Sequence, residues 1–173
     1  MKWAALIGLI VWISMVLVLL KIIEITKLQP FDPQQKLFTQ SMSTDFETNF
    51  SSILRTYSGE LRNTAVHFRT GNCICESLAQ NHSDELASNL SNSGYKNLTL
   101  KLDELTEINA YIPSTPAVAI FNEFQQLIYL GPYSIGLGCF TDNSLVATIS
   151  RYLSATYLGA QINSAVEGCY CTA

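Results

Sequence analysis

The sequence predicts an α/β domain, a mixed four-stranded sheet with flanking helices, carried behind one N-terminal transmembrane helix. Three observations predict it. Trp3 to Leu20 is an 18-residue run without a charge, long enough to cross a bilayer as a helix. Short apolar or alternating runs at 64–68, 95–102, 118–121 and 126–130 read as strands, and helical periodicities lie between and after them. The order is strand, helix, strand, short helix, strand, strand, helix. That is a parallel crossover unit followed by an antiparallel hairpin, which makes a mixed sheet with helices on both faces.

Residues 1–27 are the anchor. Lys2 and Lys21 bracket the run, and Ile22 and Ile23 extend it. The small-x-small site of a cleaved leader is missing, because the run leads directly into Lys21-Ile-Ile-Glu-Ile-Thr-Lys27, so a retained anchor is expected. Lysines lie on both sides, and charge alone does not set the orientation. Five cysteines suit an oxidising compartment, and N-terminal anchors usually carry the rest of the chain across the membrane. The expectation is a single-pass membrane protein with its C-terminal body outside the cytoplasm.

Residues 28–61 open with Pro30 and Pro33 in a short linker. Leu37, Met42, Phe46, Phe50, Ile53 and Leu54 then recur at helical spacing, predicting an amphipathic helix that covers one face of the core. Residues 62–158 are the domain. A strand over Thr64–Phe68 leads through the polar turn Arg69–Asn72 into a helix from about Cys75 to Asn89. Leu78, Leu86 and Leu90 lie on one side of that helix.

Ser91–Gly94 is a turn, and Leu98, Leu100 and Leu102 share one face of the next strand. Asp103–Ala110 reads as one or two helical turns. Val118–Phe121 and Gln126–Leu130 form a hairpin closed by Asn122–Gln125. A glycine-rich loop, Gly131–Gly138, ends at Cys139. Asp142 or Asn143 is placed to cap a last helix to about Tyr157, with Leu145, Val146, Ile149, Tyr152 and Leu153 inward. Residues 159–173 are a tail holding Cys169 and Cys171.

Beyond residue 27 the chain has 13 acidic and 7 basic residues, an excess of six negative charges. With no basic stripe and no zinc-finger spacing, nucleic acid is excluded as a partner. Docking on anionic lipid is excluded in the same way, so membrane attachment rests on the span. There is no phosphate-binding glycine loop, Gly-x-Ser-x-Gly elbow or His-Glu-x-x-His pair, which sets aside nucleotide enzymes and hydrolases.

Chemistry is expected at Cys73-Ile-Cys75, where the first strand turns into a helix. A thiol there meets unpaired backbone N–H groups and the positive end of the helix dipole, and both favour thiolate. Residues two apart on a helix point to nearly opposite sides. A Cys73–Cys75 bridge therefore requires Cys73 to lie outside the regular helix; otherwise Cys73 has another partner.

The element order, the cysteines at the first strand-to-helix turn and Thr115-Pro116 before the third strand resemble the thioredoxin-like superfamily over about residues 62–158. Thr115-Pro-Ala-Val-Ala-Ile is similar to the Thr-Pro-Ala segment of the periplasmic disulfide isomerases. The anchor, Phe-Asp-Pro at 31–33, Thr-Pro at 115–116 and Gly-Pro-Tyr-Ser at 131–134 together resemble a group of membrane-anchored thioredoxin-like proteins of gammaproteobacteria. The resemblance implies a cis Pro116 lying against the reactive cysteine. The chain departs from the superfamily at the motif, which is Cys-x-Cys rather than Cys-x-x-Cys.

Three functions stay open. In a thiol–disulfide oxidoreductase acting on protein thiols or disulfides, Cys73 attacks, Cys75 or Cys139 resolves, and Thr115 and Pro116 position the substrate, with no cofactor needed. The structural counterpart is a set of stabilising bridges, such as Cys139 to Cys169 or Cys171. In a thiolate metal site, Cys73, Cys75, Cys139, Cys169 and Cys171 supply soft ligands for zinc or copper. In a binding module the fold remains without catalysis. His67 is expected at a sheet edge and His82 on a solvated helix face. Glu76 opposes a nearby thiolate, and Arg69 can offset it.

Overall fold

An apolar run of this length has no polar face to keep in water and none to bury. In the computed structural model, which describes residues 2–136, 138 and 144–173, it forms α1 (Lys2–Lys27). Its window Ala5–Ile22 is long and apolar enough to cross a membrane, and none of that window is buried within the protein.

The chain continues through β1 (Gln29–Pro30), α2 (Lys36–Ser41) and α3 (Phe46–Ser58). The amphipathic pattern over 37–54 is thus carried by two helices. The Asp32 carboxylate accepts the N–H groups of Lys36 at 3.0 Å and Phe38 at 2.9 Å, which are donors a helix start leaves unpaired. The chain turns at Met42, which is exposed, and α3 buries Phe46, Phe50 and Leu54. Burial of each such side chain contributes about 2 kcal/mol.

The domain proper runs β2 (Thr64–Arg69), α4 (Ile74–Leu78), α5 (Gln80–Asn92), β3 (Lys96–Lys101) and two 3-10 turns, Leu102–Glu104 and Ile108–Ala110. It continues with β4 (Ser114–Thr115), β5 (Ala117–Phe121), β6 (Leu127–Pro132), α6 (Val146–Ser154), β7 (Gln161–Ile162), β8 (Glu167–Gly168) and β9 (Cys171–Thr172). The main sheet has the order β3-β2-β5-β6-β7. β2 and β3 are parallel, β5 is antiparallel to both β2 and β6, and β7 is parallel to β6. It has five strands instead of four because Gln161–Ile162, expected as tail, pairs with Tyr129–Leu130.

Alternation along the central strands divides the core. Val66, Phe68, Ala117, Ala119 and Phe121 face Phe50, Leu54, Ile108 and Ile112. Ala65, Val118 and Ile120 face Leu86 and Leu90 of α5 and Val146 and Ile149 of α6. β2 is flanked on both sides, so His67 is buried in the middle of the sheet rather than sitting at an edge.

The helix expected from Cys75 is two helices joined at Ala79. The last helix stops at Ser154, because Ala155 is extended, and Tyr157 instead donates its hydroxyl to Glu47 at 3.2 Å. Asp142, Asn143 and Cys139 lie outside the described residues.

Candidate functional site

Cys73 sits just before α4 with extended backbone angles (φ −110°, ψ 120°), outside the regular helix. The bridge it forms is not to Cys75. Cys73 is bonded to Cys171 and Cys75 to Cys169, with Cα–Cα distances of 6.0 and 5.4 Å across 98 and 94 residues. The two Cys-x-Cys segments therefore lie side by side, each cysteine of one bonded to a cysteine of the other. The Sγ atoms of Cys73, Cys75 and Cys171 all lie within 4.8 Å of one another. Cys73, Cys75 and Cys169 are buried, and Cys171 is half-buried.

Four local structures hold this cluster. The turn before Cys73 is fixed by buried Glu76, whose carboxylate accepts Thr70 N–H at 2.6 Å, Gly71 N–H at 3.2 Å and the Thr70 hydroxyl at 3.1 Å. An acidic group in the first turn of α4 thus closes the loop that presents the cysteine, a role its effect on a neighbouring thiolate does not reveal. The Thr70 hydroxyl also lies 3.4 Å from that of Thr115.

β4 holds the other side. Thr115 pairs with Cys171 and Ser114 with Thr172, and Ala173 N–H donates to Pro113. The Thr115–Pro116 peptide bond is cis, and both residues are buried. Of the residues singled out in the sequence, Cys73, Cys75, Thr115, Pro116, Cys169 and Cys171 are thus gathered in one place.

The tail is tied to the start of the chain as well. β8 pairs with β1, Phe31 N–H donates to Val166, and the Phe31 and Tyr170 rings meet edge to face at 5.2 Å. Tyr170 donates its hydroxyl to Ser134 at 2.7 Å. Its ring occupies the space beside Gly168, where an added Cβ would lie 2.6 Å from it. Only glycine leaves room for the tyrosine that stands between the two tail cysteines in sequence.

A cavity of about 370 Å³ opens beside Cys73, lined also by Arg69, Gly71, Glu76, Ser77, Gln80, Thr99 and Lys101. Arg69 is held by a 3.1 Å hydrogen bond to Ser83. Two cations and one carboxylate thus line this opening in an otherwise acidic domain.

Behind it, His67 bridges Tyr133 and Asn97, with Nε2 2.9 Å from Asn97 Oδ1. The Asn97 amide donates to Ala87 at 3.0 Å and Ser91 at 2.9 Å, so the histidine Nε2–H donates to Asn97 Oδ1. The Tyr133 hydroxyl lies between His67 Nδ1 and Ala117 O, to which it donates at 3.2 Å. Burial lowers the His67 pKa and raises that of Tyr133. Both are neutral core groups and neither reaches the sulfurs. His82, expected in solvent, is partly covered and bonds Gly138 O at 2.7 Å.

Fold and site define a mixed α/β domain, closed by two adjacent disulfides, behind a helix of membrane-spanning length. The chain belongs to the family described as Domain of unknown function (DUF6436), whose model matches residues 39–173. No curated protein and no solved structure matches it significantly. The match covers both Cys-x-Cys segments, so the cysteine cluster lies wholly within the family's domain.

Proposed function

We propose that the chain is a membrane-anchored, thioredoxin-like thiol–disulfide exchange protein whose working bridge is Cys73–Cys171. The observation that carries the reading is the asymmetry of the two bridges. Cys171 is half-buried and Cys73, though as buried as Cys75 and Cys169, lines the cavity with Arg69, Lys101 and Glu76. The Cys75–Cys169 bridge instead joins two buried residues, neither of which lines that cavity. Thiol–disulfide exchange needs a sulfur that an incoming thiolate can reach, and a departing thiolate stabilised where it is left. The outer bridge meets both needs.

The thioredoxin-like reading is supported by the order β3-β2-β5-β6, with β2 and β3 parallel and β5 antiparallel to its neighbours. It is supported too by Thr115-Pro116 lying beside Cys171 at the start of the third main strand. In the reduced protein the Cys73 thiolate attacks a substrate disulfide, forms a mixed disulfide and releases one substrate thiolate. Cys171 then attacks Cys73 Sγ and releases the second, leaving the Cys73–Cys171 bridge; the reverse sequence oxidises a dithiol. Cys171 takes the resolving role expected of Cys75 or Cys139. Anchoring by α1 and a periplasmic, oxidising location fit a domain closed by two bridges.

The test uses the full chain in nonionic detergent. Cys73→Ser abolishes reduction of insulin or a model disulfide, and Cys171→Ser accumulates a mixed disulfide at Cys73. Cys169→Ser mainly lowers stability. Equal activity in the Cys73→Ser protein overturns the proposal.

A further inference from the structure

We infer that the same four sulfurs form a zinc site when both bridges are reduced, so that oxidation state decides whether the metal binds. This rests on the proposal that a dithiol opens the outer bridge, requires in addition that excess dithiol open the inner one, and adds a second activity to that cluster. The outer pair alone does not make a site. The feature that does is the placement of the inner pair, which brings Cys75 Sγ within 4.8 Å of both sulfurs of the outer bridge, with Cys169 bonded to Cys75.

Tetrahedral zinc with Zn–S distances of about 2.3 Å holds its sulfurs about 3.8 Å apart. The separations of Cys75 Sγ from the Cys73 and Cys171 sulfurs, at most 4.8 Å, exceed that spacing by no more than about one ångström. The bonded sulfurs lie 2.00 and 2.12 Å apart, and Cys169 reaches the group through its bond to Cys75. Each bonded pair must separate and the two pairs must draw together slightly. The Cα–Cα distances of 6.0 and 5.4 Å leave room for both movements by rotation about Cα–Cβ. Four soft donors from two short segments complete a closed coordination shell. Arg69 and Lys101 line the adjacent cavity together with Glu76, a net single positive charge that offsets part of the two negative charges that four thiolates and one divalent cation leave.

The electron and proton balance is complete. Two protein dithiols each give two electrons and two protons and depart as disulfides, while the two bridges become four thiols. Zinc binding then releases the four thiol protons, so affinity rises with pH. Reoxidation by two protein disulfides, which take up the four electrons and depart as dithiols, turns all four thiolates back into the two bridges and expels the metal. The bridged protein, whose sulfurs are spent on each other, holds none.

The experiment takes the full chain in a Cys139→Ala background, reduced with a phosphine under argon and freed of reductant. Chemical reduction makes the result independent of whether any dithiol opens the bridges. Native mass spectrometry with added Zn²⁺ is expected to show one ion per reduced chain and none on the oxidised chain. All four thiols should resist alkylation until a chelator is added. Co²⁺ in place of zinc should give the intense charge-transfer absorption of a tetrahedral four-thiolate site, lost in Cys75→Ala/Cys169→Ala, which keeps its outer bridge and fold before reduction. Far-UV circular dichroism tracks the fold throughout, and a reduced chain that loses structure and regains it with zinc supports the site. A folded reduced chain without zinc overturns the inference, as does undiminished Co²⁺ absorption in the paired variant. In either case disulfide exchange by Cys73 is left standing.

Discussion

Removing the two bridges separately and together gives an outcome fixed by their topology. Either bridge alone closes a loop of more than 90 residues. In the chain-entropy account, a loop of that length stabilises by about 4.7 kcal/mol at 25 °C. Once one bridge is present, the second closes a ring of only roughly six residues, worth about 2.2 kcal/mol. Cys73→Ala/Cys171→Ala and Cys75→Ala/Cys169→Ala should therefore each cost about 2.2 kcal/mol, because the surviving bridge holds the same long loop. Removing all four cysteines should cost about 7 kcal/mol, more than the two pairs together by about 2.5 kcal/mol.

Small cavities left by alanine add to each variant alike and cancel from that excess. Urea unfolding of the full chain in nonionic detergent, monitored by near-UV circular dichroism, measures it. Additive costs would refute the reasoning. That result is what local Cys73–Cys75 and Cys169–Cys171 rings produce, since each would then close only its own few residues.

Two further outcomes concern buried groups. Glu76→Ala leaves the Thr70 N–H without its acceptor and should cost about 2 kcal/mol; Glu76→Gln, which keeps an acceptor oxygen, should cost less in the same urea titration. Burial depresses the His67 pKa below its ordinary 6.5, so below that pH the unfolded chain binds a proton that the folded chain does not. Stability should fall as pH drops from 6.5 toward the depressed value, and the slope should flatten in His67→Gln. An unchanged slope would place the titrating group elsewhere.

Much of the scaffold was legible because its signals are local. The uncharged run of α1, the alternation of Leu98 and Leu100 and the apolar strand at 118–121 each carry their own period, and the crossover order emerges from them. The spacing argument placed Cys73 outside the helix only for a Cys73–Cys75 bridge, which the chain does not form, whereas Thr115-Pro116 was legible from a resemblance. The bridges were not. No local rule chooses among partners more than 90 residues apart, and that choice depends on β9 pairing with β4 and on β8 pairing with β1.

The fifth strand was missed because two residues, Gln161 and Ile162, are too short to show a period. Glu76 was judged by its charge alone, whereas its role comes from the backbone N–H groups it reaches. Two faint signals were present in the tail. The repeated Cys-x-Cys pattern hinted that the two segments meet, and Gly168 directly before Cys169 marked a close approach.

The exchange claim is tested most directly by the order in which the bridges open. The full chain, in detergent and in the Cys139→Ala background, is exposed briefly to a limiting dithiol. Free thiols are trapped by alkylation and peptides are mapped by mass spectrometry. The account predicts that Cys73 and Cys171 are labelled first, while the Cys75–Cys169 bridge stays closed. Labelling of Cys75 and Cys169 ahead of the outer pair, or no labelling until the protein is unfolded, would contradict it.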